Sequence, residues 1–592
     1  FKDNVRIAKS MPKNQVPEYS VEADPRSQYV AQNPDRGAKL SIEDNNMYSR
    51  QNEPEYNPRA EAALGKLARD AENAPASTAY LNVTSTTPIG EFLTRQKAKY
   101  INKWARLESI YQTEGFRGVL ADSSALAAAM FADRSRGITS ETLKSGYVSY
   151  KNGITKVEKF VHNGKEYKGL VDVMSPLFAG GNKYGVDLER LAQGYAIAKR
   201  SQRLKAEGKA VPAGTTSLAD IQSEVDKYTD ENGNSIVEGW FNAWQAYNAK
   251  TVEFLMDTGV LDAETAQDWI NQSDYVPFYR QAENPDGKDQ MPKIFSGMTS
   301  AATFKELKGG ETAVTVPLLD AITRNLDAAI SMGMRNVAQQ RIVRDMNSLG
   351  LAREVTAGQT GTNVINFRVD GKKRSFSIDD PLMYESMQSL DGGGMEKMLT
   401  SVVGAPSNFL REMITRDPGF MIVNMMRDTL SSYVTSGASF IPVYDTIKNA
   451  RSGVDALSAY GVVGGYDFSS DPDNLFEDFQ KEMGRRGLGD GSGNAITKPF
   501  VKLWDTLGRM TTASDAATRK AVFDDVLART GNEAEAAYQA LEVINFSRRG
   551  NSPVARVVTA AIPFLNARFQ GLDVFYRSAA GQYNANKDMS KR

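Results

Sequence analysis

Past Pro88 the apolar residues of this chain recur at helical spacing, and only two short stretches switch to a period of two. Leu93, Tyr100, Trp104, Leu107 and Tyr111 form one helical stripe, with Arg95, Lys99, Lys103 and Arg106 mostly on the opposite side. That basic side reads either as a nucleic-acid or lipid contact or as the solvated side of a packed helix. Leu120 to Phe131, rich in alanine, predicts a helix suited to close packing. Further helices are predicted at about Asp187 to Glu207, Ser217 to Tyr228, Ser235 to Met256, Ala263 to Ile270, 316–350 and 381–415.

The period changes at 146–174, where strand-like runs flank Asn152-Gly153 and Asn163-Gly164. It changes again at 364–378, around Asp370-Gly371. Asn-Gly or Asp-Gly between such runs predicts a tight hairpin, because both central residues must take positive φ. The fold class expected is mainly α, an elongated multi-helix architecture with small antiparallel β-hairpin inserts.

The expected organisation has six parts. Residues 1–85 carry six prolines in the first 60 positions and little apolar periodicity, so an extended arm or partly disordered segment is expected there, with one short helix at Pro58 to Ala71. A helical domain with a hairpin at 146–174 covers 86–280, and a second, with a hairpin at 364–378, covers 281–415. An apolar helical segment fills 416–483, a Gly-rich linker 484–498, and a C-terminal helical domain 499–592. In the apolar segment Arg427 and Asp428 each cost about 3 kcal/mol at a bilayer centre, which argues against a spanning helix. Phe1 in place of Met leads to the expectation of a processed product or a fragment of a longer protein.

Most catalytic chemistries are excluded by residue type. The chain has no cysteine and one histidine, His162, so thiolate sites and two-histidine metal centres cannot be built from it. His162 sits beside a predicted turn, and no Gly-x-Ser-x-Gly elbow exists for a serine nucleophile. Gly180 to Gly185 lacks phosphate-loop spacing. Asp230 to Asn234 has the first, third and fifth ligands of a calcium loop, but its glycine and closing glutamate are displaced, so a polar turn is expected. Lys plus Arg number 71 against 72 Asp plus Glu, so the whole chain carries no field that singles out nucleic acid.

The C-terminal stretch carries the most specific pattern. Thr512 to Asp515 has capping spacing, Val522/Val526 and Phe523/Leu527 pair at i,i+4, and Gly531-Asn532 stops the helix. A second helix presents Ala534, Ala537, Tyr538, Leu541 and Ile544. Three motifs stand in order: Ser514-Asp515-Ala516-Ala517-Thr518-Arg519, then Asn545-Phe546-Ser547-Arg548-Arg549-Gly550, then Pro563-Phe564-Leu565-Asn566-Ala567 with Gln570-Gly571. From Asn545 onward eight basic residues face two acidic ones. Arg548, Arg549, Arg556, Arg568 and Arg577, interleaved with aromatic residues, are therefore candidate contacts for DNA or a partner. The structural alternative is that Arg548 and Arg549 cap the preceding helix and bind acids such as Asp515. Leu565, Phe569, Leu572 and Tyr576 recur at i, i+4, i+7, i+11 and are candidates for packing against a partner helix.

These motifs resemble the large polyvalent protein-associated domains of phage and mobile-element proteins. Weaker echoes lie at Arg190 to Arg203 around Tyr195 and Arg200, at Tyr275 to Arg280, and at Asn424 to Asp428. The resemblance implies a non-enzymatic internal virion, or ejection, protein of a short-tailed phage, without a cofactor. It implies residence in the virion interior and then the host envelope. The implied partners are further copies of the chain, other virion proteins (portal, core or ejection proteins), packaged double-stranded DNA, and the host membrane after ejection. Proteins of this kind also carry lytic transglycosylases. Here Glu108-Ser109 and Asn57-Pro58 stand in the wrong order for that motif and its Gly-Leu-Met-Gln element is missing, so the activity does not transfer. Two other readings stay open: a fragment of a polyvalent, murein-degrading enzyme whose catalytic domain lies elsewhere, and a fixed capsid or portal-associated protein.

Overall fold

The computed structural model describes residues 88–111, 119–209, 211, 216–272, 274–277, 317–355, 363–388, 390, 453–462, 479–480, 482–488, 513, 516–543, 548–552, 565 and 568–570. It opens with α1 (Pro88–Tyr100), α2 (Ala105–Tyr111), α3 (Ala125–Ala132) and α4 (Ser135–Lys144). Two hairpins follow, β1 (Tyr147–Lys151) with β2 (Ile154–Glu158) and β3 (Phe160–His162) with β4 (Lys165–Tyr167). Next come α5 (Gly169–Tyr184), α6 (Leu188–Ala206), α7 (Leu218–Val225), α8 (Ile236–Asp257), α9 (Ala263–Gln272) and α10 (Leu318–Ser348). A three-stranded sheet of β5 (Ala352–Glu354), β6 (Val364–Val369) and β7 (Lys372–Ile378) precedes α11 (Pro381–Gln388), α12 (Gly453–Ser458) and α13 (Glu533–Glu542). Residues 516–530 are also helical. The chain is thus mainly α, with small antiparallel sheets of two or three strands.

Local chemistry accounts for most of these boundaries. Asp187, Ser217, Ser235 and Asn532 each accept a hydrogen bond from the backbone N–H three residues on, satisfying a donor that a helix N-terminus leaves open. Gly531 takes a left-handed φ of 67° after the 516–530 helix, where a C-cap needs a residue without Cβ. All three predicted hairpin turns form. Asn152-Gly153, Asn163-Gly164 and Asp370-Gly371 each pair a φ near 50° with one above 70°, closed by Lys151 opposite Ile154, His162 opposite Lys165, and Val369 opposite Lys372. β5 joins the free side of β7, giving the order β5-β7-β6 with every pair antiparallel.

The long helices α8 and α10 pack together, and α3, α4 and α6 also lie against α10. Gly333 makes the α8–α10 approach possible: a Cβ there would stand 2.5 Å from the Phe254 ring and 2.9 Å from Thr258 Oγ1. α10 is buried nearly all round, so its polar residues need internal partners. Arg341 donates to Tyr150 Oη (2.8 Å) and to the Gly153 carbonyl (3.2 Å), Arg344 to the Ser123 carbonyl (2.7 Å), and Asn336 to the Thr258 carbonyl (2.9 Å). Glu189 on α6 accepts from Leu319 N (2.9 Å) in the first turn of α10. Among the described residues one hydrophobic core draws buried side chains from Trp104 through Val543. Described residues on both sides of the expected boundaries share it, Val276 with Leu318 and Met483 with Val522 among them.

The structure corrects several expectations. The 146–174 patch ends at Tyr167, and Gly169–Tyr184 is a helix despite the internal Pro176. Gly180 and Gly181 belong to that helix, whose C-cap is the left-handed Gly185. α4 was not expected from the sequence, and the helix at 120–131 starts only at Ala125, capped by Ser124. At the start of the Gly-rich linker Arg486 donates to the Asp172 carboxylate and to the Lys144 (3.1 Å) and Lys168 (3.3 Å) carbonyls, and Phe479 and Met483 just before it are core residues. The first stripe is not one helix. It breaks at 101–104, leaving Tyr100 43% exposed while Trp104 and Leu107 are buried. The arm at 1–85, the helix at Pro58 to Ala71, the apolar stretch at 419–444 and the remainder of the linker lie outside the described residues. Among the described residues no helix is long and apolar enough to cross a membrane.

Candidate functional site

The break between α1 and α2 is where the second and third C-terminal motifs meet the rest of the chain. Asn102 initiates it: its side-chain oxygen accepts from Trp104 N (3.1 Å), a local bond that competes with continuing the helix. A helix end leaves its last carbonyls without intrahelical donors. Here the C-terminal segment supplies them. Asn551 N donates to the Ala98 carbonyl (3.0 Å), Ser552 N to Lys99 (3.1 Å), and Gln570 Nε2 to Ile101 (2.9 Å). In return Lys103 N donates to the Arg549 carbonyl (2.9 Å). Gly550 allows this approach, since a Cβ would lie 2.1 Å from the Lys99 carbonyl oxygen.

Arg548 locks the contact from inside. It is 4% exposed; Nη1 donates to Glu108 Oε1 at 2.6 Å and Nη2 to Glu542. The other oxygen of Glu108 accepts from Lys97 Nζ at 2.9 Å. Two carboxylates thus meet two cations, and Gln570 also donates to the Arg548 carbonyl (2.9 Å). Beside them Arg106 pairs with Asp380 at 2.7 Å, both side chains 1% exposed, and Asp380 caps α11 through Met383 N. Lys103 Nζ and Trp104 Nε1 share the Asp133 carboxylate. Burial first, and then the Glu542 charge, raise the Tyr538 phenol well above the ordinary tyrosine range.

Arg548 is therefore a correction to the DNA-contact candidates: its charge is consumed inside the protein and does not face solvent. Its acidic partners are Glu108 and Glu542, not Asp515. Arg106 and Lys103 likewise leave the expected basic face for buried ion pairs. Arg549 and Arg568 are exposed, Leu565 and Phe569 are half-buried, and Arg556, Arg577, Leu572 and Tyr576 lie outside the described residues.

The other motif residues are anchors too. Arg519 Nη1 donates to the Val462 carbonyl (3.2 Å) and Arg134 Nε to Gly461 (2.6 Å), two cations on the carbonyls just past α12. Two upstream echoes meet: the Arg200 guanidinium lies 5.8 Å from the Tyr275 ring centroid, and Trp244 Nε1 donates to the Tyr275 carbonyl (3.0 Å). His162 stacks on Phe160 at the hairpin edge and bonds the Asn163 amide (3.1 Å). Asp230 folds its own turn, accepting from Asn232 N and Asn234 N, which holds its carboxyl below the usual range. Among the described residues no cluster of His, Asp or Glu has metal-binding geometry. The chemistry this arrangement performs is fastening. No family model matches the sequence, and neither a curated protein nor a solved structure matches it.

Proposed function

We propose that this chain is a non-enzymatic internal virion protein of a phage, packaged in the capsid and leaving it with the genome. It works with copies of itself and with other virion proteins, in contact with the genome and then the host envelope. The three ordered C-terminal motifs support this reading through their family resemblance. The observation that carries it is what Arg519, Arg548 and Gln570 do: each is buried and bonded to a distant backbone carbonyl or carboxylate. Motif residues spent on joining segments suit an assembly protein better than an enzyme, whose characteristic residues would line a cleft.

The test is the mass and stoichiometry of the chain in purified particles before and after triggered DNA release. Presence before and loss after is the expected result. Retention in emptied particles would instead identify a fixed capsid or portal-associated protein. Absence from particles throughout, together with murein cleavage by the purified chain, would favour a fragment of an enzyme.

A further inference from the structure

We propose that Asn163 is a self-modification site. Its side-chain amide is lost to attack by the Gly164 nitrogen, the turn ends as isoaspartate or aspartate, and His162 donates a proton to the departing ammonia. The chain has three Asn-Gly pairs, at Asn152, Asn163 and Asn232. Each offers the same chemistry, since glycine carries no Cβ to shield its nitrogen from the preceding side chain. They differ in how firmly the fold holds them.

Asn152-Gly153 is docked. It closes a hairpin of five paired positions, and the Gly153 carbonyl accepts from buried Arg341 (3.2 Å). Gly153 also lies against Asp122, whose carbonyl oxygen a Cβ would approach to 2.7 Å. Asn232-Gly233 is tied through its nitrogens. Asn232 N donates to Asp230 Oδ1 (2.8 Å), and Gly233 N, the atom that would attack, donates to the Asp230 carbonyl (3.3 Å).

Asn163-Gly164 has neither restraint. Its hairpin has three paired positions, both turn residues are exposed, and nothing lies within 4 Å of a Cβ built on Gly164. Gly164 N has no hydrogen-bond partner among the described residues. The Lys159–Glu166 bridge, with side chains 78% and 48% exposed, adds little. Only the base of the hairpin is fixed, by buried Phe160, whose ring meets Tyr247 (centroids 5.1 Å apart) and Tyr167 (5.6 Å). The reaction needs local opening, because the asparagine side chain must swing onto the following nitrogen. This tip opens at lower cost than the other two turns.

His162 stands at the leaving group. Its ring lies within 1° of parallel to Phe160, and Nε2 is 3.1 Å from Asn163 Nδ2. That is within reach of proton transfer. Gly164 N bonds to Asn163 Cγ and the Cγ–Nδ2 bond breaks. Nδ2 takes a proton from Nε2 and departs as ammonia, and the proton released by Gly164 N returns to the imidazole through water. A water molecule then opens the cyclic imide at either carbonyl. One product is aspartate; the other is isoaspartate, with an extra methylene in the main chain.

The full chain is incubated at neutral pH in heavy-oxygen water, sampled over weeks and digested. Mass spectrometry then reads heavy oxygen gained at each of the three pairs, and electron-transfer fragmentation separates isoaspartate from aspartate. Asn163 should convert first, at least about tenfold faster than Asn152 and Asn232. In urea the three rates should converge, because the restraints on the other two are tertiary or depend on a folded turn. His162→Phe keeps a ring against Phe160 and removes the proton donor. It should slow Asn163 by about 100-fold, the low end for a positioned acid, and leave Asn152 and Asn232 unchanged. Equal rates at the three pairs in the folded chain, or conversion led by Asn152 or Asn232, overturn the proposal. An unchanged rate at Asn163 in the His162→Phe chain overturns the role of the imidazole, and a rise at all three pairs would mark general loosening instead.

Discussion

Arg548 and Glu108 lie 2.6 Å apart with side chains 2% and 6% exposed, although 440 positions separate them in the sequence. Removing one partner of such a pair strands the other charge in a medium that solvates it poorly. Arg548→Met should cost about 3–5 kcal/mol of stability, because both Glu108 and Glu542 lose their shared cation. Urea denaturation measures it. The double variant with Glu108→Gln should recover part of the loss, and additive losses would show that the two residues are not coupled.

Gly550→Ala tests the backbone contact separately from the charges. Its Cβ would meet the Lys99 carbonyl oxygen, the Lys99 carbonyl carbon and Tyr100 N, all backbone atoms within 2.6 Å, and no rotamer change relieves that. A cost of about 1–3 kcal/mol is expected from overpacking. Hydrogen exchange should accelerate at the Asn551 and Ser552 amides, which donate to α1. Unchanged exchange there would mean that the contact does not hold the segment.

The hairpin glycines separate local from tertiary strain. Gly153 and Gly164 have similar positive φ, 72° and 76°, so alanine at either position carries the left-handed penalty of about 1–2 kcal/mol. Gly153 additionally faces the Asp122 carbonyl oxygen at 2.7 Å, whereas Gly164 has open space. Thermal melts of the two variants should therefore differ, with Gly153→Ala the less stable. Equal melting temperatures would place the hairpin tip away from Asp122.

Glu535 yields a pH prediction. Burial raises its carboxyl pKa above the ordinary 4.5, only partly offset by hydrogen bonds from Gln539 and from the Ala121 amide. A raised carboxylate contributes stability that is fully present below the unfolded value and lost as pH rises through the folded one. Glu535→Gln keeps an acceptor and removes the charge. The variant should be more stable than the parent at pH 8, with the difference closing towards pH 4. A difference that widens on acidification would reverse the assignment.

The sequence by itself determined the elements whose causes are local. Asp187, Ser217, Ser235 and Asn532 cap helices through bonds spanning three residues, and Asn-Gly or Asp-Gly sets a turn whatever surrounds it. Gly531 ended its helix where expected, and Ala534, Ala537 and Leu541 faced the core as their spacing required. Only the tertiary structure decided where helical pattern fails without glycine or proline. The 101–104 break needs Asn102 as a local competitor, but it is sustained by donors from residues 551, 552 and 570. The same holds for charge. Nothing near Arg548 in the sequence marks Glu108 as its partner, because an ion pair depends on separation in space, and folding sets that separation. Arginines that sequence reading assigns to a surface thus divide in the fold: Arg548 and Arg106 close the core, while Arg549 and Arg568 remain in contact with water.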